Sequence, residues 1–520
     1  MMAYILVYLF YLCVPMKKAM HMMQQNRYRK QRYCDWLYKE IKIKYPAIVK
    51  QASMLGVCYV LFFVDNRQQA SLLGILVFIY AYLQYRIEEK VTYRKPLVWT
   101  SRMKRLCACL VVFHVIILYC FLLCSISMQI VVTPILYGLP YLMIILAHTV
   151  LEPIEKLIQQ MYQKEAKDKL RSMKDLYTIG ITGSYGKTSV KTILYYLMQD
   201  SWTTLMTPQS YNNPMGITLT IRKYLNRLHE VFLCEMGADH VGDIRELMEF
   251  VQPSIGVVTA IGKQHLQTFH KIEHIQQEKM QMVEKLPVDG IAFLNADDPL
   301  ITSYQIKNTC KIIWYGRSEK ANYRYGNVSY DISGSHFTIT HNHITYHFHT
   351  KLLGEHQIAN ITAAVAIAHT LDIGWQQLLT QVALLPYIEH RLQKREYAHY
   401  TILDDAYNAN PKGVQYALEV LKQMKGQRIL VTPGMIDLGS LQEQENYKFG
   451  KSMNGCADLV ILVGEIQTKA IYQGLKDSGF MMKHVHIATS FTQAMQIVEQ
   501  VAQEHSIVLL ENDLPDAFHH

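Results

Sequence analysis

Long apolar stretches are confined to the first 151 residues of the chain, where they alternate with polar segments. They are residues 2–16, 47–64, 70–85, 106–127 and 129–151. The last two are long enough for helices that cross a hydrocarbon core of about 30 Å, and the first three reach that length only with flanking residues. The pattern predicts a multi-pass, α-helical membrane domain over residues 1–151.

The longer polar segments between these stretches are strongly basic. Residues 17–50 contain ten Lys or Arg against two acidic residues, and residues 86–105 contain seven against two. Basic loops of membrane proteins stay in the cytoplasm. Five spans then put the N-terminus outside and the chain from residue 152 onward in the cytoplasm. Because the net charge of +9 arises in this region alone, we expect no nucleic-acid partner.

The pattern changes twice after the membrane region. Residues 152–175 are a charged, helix-forming stretch, which predicts a helical connector. From about Glu389 short apolar strands alternate with helical stretches, which predicts an α/β domain with a mainly parallel sheet. The predicted strands are Thr401–Leu403, Ile429–Thr432, Leu459–Val463, Val485–Ile487 and Ile507–Leu510.

The strongest chemical signal is the segment YTIGITGSYGKTSVKT at Tyr177–Thr192. A β-branched run leads into a glycine turn and then into a helical pattern that begins at Lys187, which is the context of a phosphate-binding loop. Gly183 and Gly186 would let backbone amides approach phosphate oxygens. Lys187 would reach the β- and γ-phosphates, and the Thr188 hydroxyl would bind Mg²⁺. A glycine turn without a ligand is the alternative.

TGSYGKT also resembles the TGxxGKT loop of the Mur ligase family, ATP-dependent amide ligases that build bacterial wall peptides. The resemblance continues in chain order over most of residues 177–440. It is carried by SYNNPMGI (Ser210–Ile217), CEMGADHVGDI with Glu235, TAIGKQHLQTF with His265, IQQEKMQM with Lys279, NADD (Asn295–Asp298, read as closing the sheet of this domain), GEHQIAN (Gly354–Asn360), IEHRLQ with Arg391 and DDAYNANP (Asp404–Pro411). DDAYNANP and PGMIDLG (Pro433–Gly439) indicate the branch of the family that adds D-alanyl-D-alanine to a muramoyl tripeptide.

The resemblance implies a role for each matching residue. ATP would be bound by Gly183, Ser184, Tyr185, Gly186, Lys187, Thr188, Ser189, Asn360, Arg391 and Asp405. The ligands of Mg²⁺ would be Thr188, Glu235, His265 and a carbamylated Lys279, and the catalytic residues would be Lys187, Glu235, His265 and Lys279. The substrates would be held by Asn212, Asn213, Gly216, Tyr407, Asn408 and Asn410.

The same resemblance implies an α/β fold class with two ligase domains. A central P-loop ATP-binding domain would occupy residues 176–388, and a C-terminal Rossmann-like domain would occupy residues 389–520. The C-terminal domain would present the incoming amine and close over ATP by a hinge near Arg391.

The chemistry of amide formation agrees with these residue types. A carboxylate must be activated before an amine can attack it, and ATP does so by forming an acyl phosphate. Because this step gathers several negative oxygens, Mg²⁺ and a lysine must neutralise them. Magnesium prefers oxygen ligands, which suits Thr188, Glu235 and a carbamylated Lys279, with His265 as a tolerated nitrogen ligand. The base that deprotonates the amine stays unassigned.

These features predict a membrane-bound ligase that joins a carboxylate-bearing cell-wall precursor to an amino acid or dipeptide. Since the connector leads directly into the phosphate loop, without a UDP-binding domain between them, a UDP-linked and a lipid-linked precursor both stay open. The C-terminal strand ends in LLENDLPD (Leu509–Asp516) where that branch usually carries a Lys-Gly-Ser turn, which leaves the added amino acid open. A membrane-bound γ-polyglutamate synthase and a non-catalytic membrane scaffold are the other two functions considered.

Five histidines lie close together in HFTITHNHITYHFH, at His336–His349. A metal site is one interpretation. The residues alternate with the period of a strand on both sides of His341-Asn342, so we expect instead a β-hairpin with an exposed polar face.

Overall fold

The structure, a computed structural model, describes residues 2–26, 28–43, 79, 82, 86, 96–209, 211–262, 266–331, 333–388, 390–406, 409, 411–436, 438 and 441–512. The chain divides into two units, Met1–Met161 and Tyr162–His520.

The described part of the first unit is mainly helical. Its helices are α1 (Met2–Gln25), α2 (Lys30–Ile43), α3 (Ser101–Leu122) and the first part of α4 (Ile126–Ser172). Their shared core is formed by Ala19, Met20, Met23, Tyr33, Met103, Leu106, Leu110, Ile144 and Ala147. The Arg105 guanidinium, on α3, donates to both carboxylate oxygens of Glu155, on α4, at 2.6 and 2.8 Å.

The basic segment 17–50, predicted to be a loop, is instead largely helical. Helix α1 continues nine residues beyond the predicted end of the first apolar stretch, and α2 begins at Lys30. The reason is that Ala19, Met20 and Met23 are buried in the core, so the apolar face of α1 continues past its first basic residues. The predicted stretch 47–64 and nearly all of 70–85 lie outside the described residues.

Among the residues that the structure describes, one helix is long and apolar enough to cross a membrane, and this helix is α3. Its outward face exposes large apolar side chains, including Val112, Ile116 and Tyr119. The predicted last span (129–151) and the predicted connector form one helix of 47 residues, α4. A multi-pass membrane domain therefore stays a prediction.

The first sheet of the second unit has nine strands in the order β2-β3-β1-β4-β5-β6-β7-β8-β9. Its pairs are parallel from β2 to β7 and antiparallel from β7 to β9. The strands are β1 (Tyr177–Thr182), β2 (Thr204–Met206), β3 (Val231–Glu235), β4 (Ile255–Val258), β5 (Ile291–Asn295), β6 (Lys311–Gly316), β7 (Tyr323–Asp331), β8 (Gly334–His341) and β9 (Ile344–Thr350).

Helices cover both faces of this sheet. They are α5 (Lys187–Met198), α6 (Pro214–Lys223), α7 (Asp243–Val251), α8 (Leu266–Phe269), α9 (Ile272–Glu284), α10 (Pro299–Thr302), α11 (Glu355–Thr370) and α12 (Trp375–Leu384). Strand β3 shows how the period of two separates the cores: Val231 and Leu233 pack with α5 and α11, while Phe232 and Cys234 pack with α7 and α9. Both faces are apolar because a parallel sheet is buried on both sides.

Of two local predictions, the hairpin in the histidine-rich segment is confirmed and the end of the sheet at NADD is wrong. The histidine-rich segment forms the predicted hairpin, in which β8 pairs with β9 from Ser335↔Thr350 to His341↔Ile344. Its turn residues Asn342 and His343 both have positive φ, as a two-residue turn of this kind requires. NADD was read as the end of the sheet, and this is wrong: Asn295 ends β5, and four further strands follow.

The second sheet has six strands in the order β10-β11-β15-β12-β13-β14. The strands are β10 (Gln393–Glu396), β11 (Tyr400–Asp405), β12 (Arg428–Thr432), β13 (Leu459–Val463), β14 (Val485–Ala488) and β15 (Ser506–Glu511). The helices around them are α13 (Pro411–Gln423), α14 (Gln442–Ser452), α15 (Lys469–Asp477) and α16 (Phe491–Val501), with a 3₁₀ turn at Met482–His484. All five predicted strands are present, and the pairs among them are parallel. The antiparallel edge strand β10 was not predicted.

Candidate active site

The loop between β1 and α5 has the backbone of a phosphate-binding loop. It contains two glycines in conformations that disfavour a side chain, with φ of 149° at Gly183 and 83° at Gly186. A Cβ on Gly186 would also stand 2.7 Å from Oδ1 of Asn360. Because α5 begins at Lys187, the free amides of its first turn are left for an anion.

A second segment, which follows β4, braces this loop. The Thr259 hydroxyl donates to the backbone oxygen of Tyr185. The amide of Ser184 donates to the oxygen of Ala260 at 2.6 Å, and the amide of Gly262 donates to Oγ of Ser184 at 3.0 Å. These bonds attach the backbone of the loop to the segment that follows β4.

Asp298 fixes the bracing segment in turn. Its Oδ2 accepts from the amide of Ile261 at 2.8 Å, and its Oδ1 accepts from Leu300 at the start of α10 at 2.9 Å. Asp298 was predicted only as part of NADD, without a role. The structure makes it a buried support for the phosphate loop.

The ammonium of Lys187 folds back over the loop. Its Nζ donates to the backbone oxygens of Gly183 at 2.7 Å and Ser184 at 3.3 Å. Burial lowers the pKa of Lys187 and the nearby Arg391 lowers it further, while Glu235 and Asp239 oppose this shift. The side chain therefore lies where it would neutralise a phosphate.

Glu235, at the end of β3, is the centre of the site and is 1% exposed. Its Oε2 accepts from the Thr188 hydroxyl at 3.0 Å and from Nζ of Lys191 at 2.9 Å. Its Oε1 accepts from Nδ2 of Asn212 at 3.1 Å. The structure thus brings together three residues that the sequence predicted from separate segments: Thr188, Asn212 and Glu235.

Lys191 was missed by the sequence analysis. It is 1% exposed and also donates to the oxygen of Gln209 at 2.5 Å, so Glu235 has a buried counter-charge on α5. The signal was its spacing, because residues 187, 188 and 191 share one face of a helix.

Asn213 and Gly216 have a structural role in the described site. Oδ1 of Asn213 accepts from the amide of Gly216 at 2.9 Å and caps the N-terminus of α6. A Cβ on Gly216 would lie 3.0 Å from Cα of Tyr211. The two residues shape the turn that presents Asn212, while their predicted contact with substrate stays a prediction.

Lys279 lies on α9 and is 3% exposed. Burial, together with the charge of Lys187, lowers its pKa to about 7, against the opposing effect of Glu278 and two aspartates. The neighbouring Glu278 is not free to pair with it, since its carboxylate accepts the amides of Gly242 and Ile244 at 2.8 and 2.6 Å and caps α7. Lys279 is therefore a buried amine with a large neutral fraction at neutral pH.

The oxygen atoms around Glu235 fit Mg²⁺. The hydroxyl of Thr188 and the carboxylate of Glu235 lie 3.0 Å apart and are hard ligands of the kind that this ion prefers. As an ammonium, Lys279 would repel the ion, whereas a carbamate on the same nitrogen would supply oxygens. The described residues include no group of three or more His, Cys, Asp or Glu that could hold a metal.

The predicted nucleotide contacts lie around the same loop. Asn360, on α11, is buried and its amide packs against Gly186. Oδ1 of Asp405 accepts from the amide of Leu392 at 3.2 Å. Burial raises the pKa of Asp405 to about 6 although Arg391 opposes the shift. Burial beside Arg391 lowers the pKa of His356, in the GEHQIAN segment, to about 4, so its ring is neutral.

Four predicted site residues lie outside the described residues. They are His265, Tyr407, Asn408 and Asn410.

Each of the two sheets lies mainly in a segment that matches a known protein family. Residues 181–368 match the Mur ligase middle domain, and residues 390–511 match the glutamate ligase domain of Mur ligases. The chain carries the middle and C-terminal domains of a Mur ligase. Together the two Mur ligase domains include the phosphate loop, Glu235, Lys279 and Asp405, whereas residues 1–180 lie outside both matches.

Relatives that match part of the chain are named UDP-N-acetylmuramoyl-tripeptide–D-alanyl-D-alanine ligases. The protein of that name from Buchnera aphidicola is 31% identical over 273 residues, which are 52% of this chain and 59% of the relative. The Bacillus subtilis protein is 27% identical, over 64% of this chain and 72% of the relative. The Escherichia coli protein is 29% identical, over 56% of this chain and 65% of the relative. The chain thus spans about three fifths of the length of most of these relatives.

Solved structures agree on the fold. MurF ligase from Thermotoga maritima in complex with ADP has a TM-score of 0.62 at 23% identity, over 68% of this chain and 80% of the other. MurF from Acinetobacter baumannii has a TM-score of 0.61 at 22% identity, over 68% of this chain and 77% of the other. The α/β Mur ligase fold with two sheet domains, expected from the sequence, is confirmed.

Proposed function

We propose that the chain is an ATP-dependent amide ligase that activates a carboxylate as an acyl phosphate and joins it to an amine. The substrates proposed are a muramoyl-peptide cell-wall precursor and D-alanyl-D-alanine or an amino acid. The observation that carries the proposal is the cluster of Lys187, Thr188, Glu235 and Lys279 beside the phosphate loop. The names of the relatives supply the substrate pair.

The loop and Lys187 carry out the ATP chemistry in this proposal. The carboxylate of the acceptor attacks the γ-phosphorus, the bond to the β-phosphate oxygen breaks, and ADP leaves. Amides at the start of α5 and the ammonium of Lys187 hold the negative oxygens in place throughout. Thr188 and Glu235 would hold Mg²⁺, which would supply further positive charge to the phosphates.

Lys279 is suited to become a carbamate. At a pKa of about 7, a large fraction of its amine is neutral at physiological pH and can attack the carbon of CO₂. The product loses one proton to solvent and bears a negative charge, which replaces a buried cation close to Lys187. The repulsion that lowers the pKa of Lys279 thereby becomes an attraction.

The two sheets cooperate in nucleotide binding. Asn360 from α11 reaches the phosphate loop on one side, and Arg391 and Asp405 approach from the second sheet. We propose that these residues hold the adenosine part of ATP and that the segment near Arg391 serves as a hinge. Tyr407, Asn408 and Asn410 are proposed to contact the acceptor and amine.

We further propose that residues 1–151 anchor the enzyme to the cell membrane, with the ligase domains in the cytoplasm. Support comes from α3, which is long and apolar enough to span a bilayer and exposes Val112, Ile116 and Tyr119. After cell lysis the full-length chain should sediment with membranes and resist extraction by alkaline carbonate. Release by carbonate would contradict the membrane anchor and leave the ligase chemistry unaffected.

ADP release by the detergent-solubilised full-length protein tests the ligase, with Lys187→Ala as the blank. UDP-N-acetylmuramoyl-tripeptide with D-alanyl-D-alanine should give ADP and a single addition product of matching mass. A product that grows with glutamate alone would favour a γ-polyglutamate synthase instead. ATP binding without ADP release for any acceptor, UDP-linked or lipid-linked, would leave a scaffold with a ligase fold.

A further inference from the structure

Two carboxylic acids meet at the carboxyl edge of the second sheet. Asp405 is the last residue of β11 and Glu511 is the last residue of β15, and the two are direct partners in this parallel pair. Asp405 is 8% exposed and Glu511 is 1% exposed. Adjacent strand ends in a parallel sheet project their groups into the same crevice, which is where ligands of α/β folds bind.

Glu511 is poorly satisfied at this position. Both of its carboxylate oxygens are buried without a hydrogen-bond partner among the described residues. Asp405 accepts one N–H, from Leu392 at 3.2 Å. A buried carboxylate without donors is costly, so a functional explanation is required.

The neighbouring charges do not supply the missing donors. The carboxylate of Asp404 has its own partners, which are Nδ1 of His390 at 2.9 Å and the guanidinium of Arg395 at 2.7 Å. Arg391 opposes the rise in pKa of both Asp405 and Glu511, but burial outweighs it and raises the pKa of each. Both acids therefore hold their protons to a higher pH than ordinary carboxylic acids do, and Glu511 remains short of donors.

The location connects the pair to the ligase site. Arg391 acts on the pKa of Lys187 as well as on the two acids, so the crevice lies within electrostatic reach of the phosphate loop. A primary ammonium brings one positive charge and three N–H donors, which are the two things that the pair lacks. A carboxylate or phosphate would meet repulsion here.

We propose that Glu511, at the end of β15 beside Asp405, binds the ammonium group of the incoming amine. This inference rests on the proposed ligase function and specifies its second substrate as a cation. The positive charge of the bound ammonium favours the ionised form of Glu511, so a proton held by this carboxyl passes to solvent on binding. The Glu511 carboxylate then accepts N–H groups of the ammonium at the carboxyl edge of the second sheet, and Asp405 stays available to the nucleotide.

The test measures affinity for the amine separately from turnover, on the full-length protein. Calorimetry with D-alanyl-D-alanine, in buffers of different ionisation enthalpy at pH 7, should show net proton release for the wild type. Release should be absent for Glu511→Gln, and N-acetyl-D-alanyl-D-alanine, which lacks the ammonium, should not bind. In steady-state assays Glu511→Gln should raise the KM for the dipeptide about tenfold or more, the loss expected for a charge-assisted hydrogen bond, with the KM for ATP within about twofold.

Glu499→Gln is the matched control, because Glu499 lies in the same domain, is exposed and accepts from the hydroxyl of Tyr400, at the opposite end of β11 from Asp405. It should change neither parameter. Wild-type turnover with an unchanged dipeptide KM in Glu511→Gln, or dipeptide binding without proton release, overturns the ammonium site and leaves the ligase proposal standing. No ADP release from the wild type overturns the ligase proposal, and the calorimetry still decides the ammonium site.

Discussion

Replacing Lys191 by methionine should destabilise the ATP-binding domain substantially. The substitution keeps most of the apolar stem but removes the charge that lies 2.9 Å from Oε2 of Glu235, in a pair whose side chains are 1% and 2% exposed. At that separation and an effective dielectric of about 20, the gross attraction is roughly 6 kcal/mol. Part of this is offset because the ammonium of Lys191 is no longer buried.

The net cost follows from what remains around Glu235. Losing one partner of a buried ion pair typically costs about 3–5 kcal/mol. Thr188 and Asn212 still donate to the carboxylate, so we expect the lower end, about 3 kcal/mol. For a domain of this size 1 kcal/mol corresponds to about 2–4 °C, which predicts a fall in Tm of roughly 6–12 °C.

Thermal unfolding of the solubilised full-length protein, followed by tryptophan fluorescence, measures the effect. The double variant Lys191→Met/Glu235→Gln removes both charges and should melt above Lys191→Met, since residues in contact are not additive. Lys285→Met, at an exposed position beyond α9, is the control and should change Tm by less than about 1 °C. A fall below about 2 °C for Lys191→Met, or a double variant whose loss is the sum of both single losses, would refute the buried ion pair.

Three further changes probe other parts of the site. Gly186→Ala should weaken ATP binding at least about tenfold, because φ at this glycine is 83° and the new Cβ would stand 2.7 Å from Oδ1 of Asn360. In the control Gly374→Ala the new Cβ meets nothing within 4 Å, and ATP should bind as in the wild type. Equal ATP affinities of the two variants would exclude the close approach. Lys279→Met should abolish CO₂-dependent activity and, in CO₂-free buffer, should raise Tm most at or below pH 7. The pKa of Lys279 is about 7 in the folded protein and 10.5 ordinarily, so the stability of the wild type rises between these two pH values by about 1.4 kcal/mol per pH unit. A difference in Tm that does not change with pH would contradict the buried amine. Asp298→Ala removes the acceptor of the buried amide of Ile261 and of the partly buried amide of Leu300, so it should cost about 2–4 kcal/mol by urea unfolding. A loss under about 0.5 kcal/mol would show that the bracing segment does not need this side chain.

The parallel strands could be read from the sequence because burial on both faces leaves short apolar runs. Strand β13, Leu459–Val463, consists only of apolar residues and was predicted with its observed bounds. The edge strand β10 has the sequence QKRE, which contains no apolar residue. Its position is set by pairing with β11 and not by its own pattern, so local periodicity could not reveal it.

The site was predictable where a motif fixed both the residue and its neighbours. Thr188, Asn212 and Glu235 lie together as expected because each follows or ends a strand of one sheet. Lys191 was missed because its partner is 44 residues away, and burial of a lysine depends on that long-range contact. Glu511 was noticed only as a departure from the Lys-Gly-Ser turn. Its pairing with Asp405 required the order of the strands in the second sheet.

The N-terminal region shows the limit of hydropathy alone. Charge density marked residues 17–50 as a loop, but the buried Met20 and Met23 continue α1 to Gln25. A basic helix and a basic loop have the same composition, so only packing distinguishes them.

Transfer of ¹⁸O from the acceptor carboxylate to phosphate tests the central claim most directly. UDP-N-acetylmuramoyl-tripeptide labelled with ¹⁸O in its terminal carboxylate is incubated with ATP, Mg²⁺, D-alanyl-D-alanine and the full-length protein, and the released phosphate is analysed by mass spectrometry. An acyl phosphate leaves one carboxylate oxygen on phosphate, so each ADP formed should be accompanied by one singly labelled phosphate, and Lys187→Ala should form neither. Unlabelled phosphate released together with ADP would mean that water attacks ATP, and would contradict a ligase acting on this carboxylate.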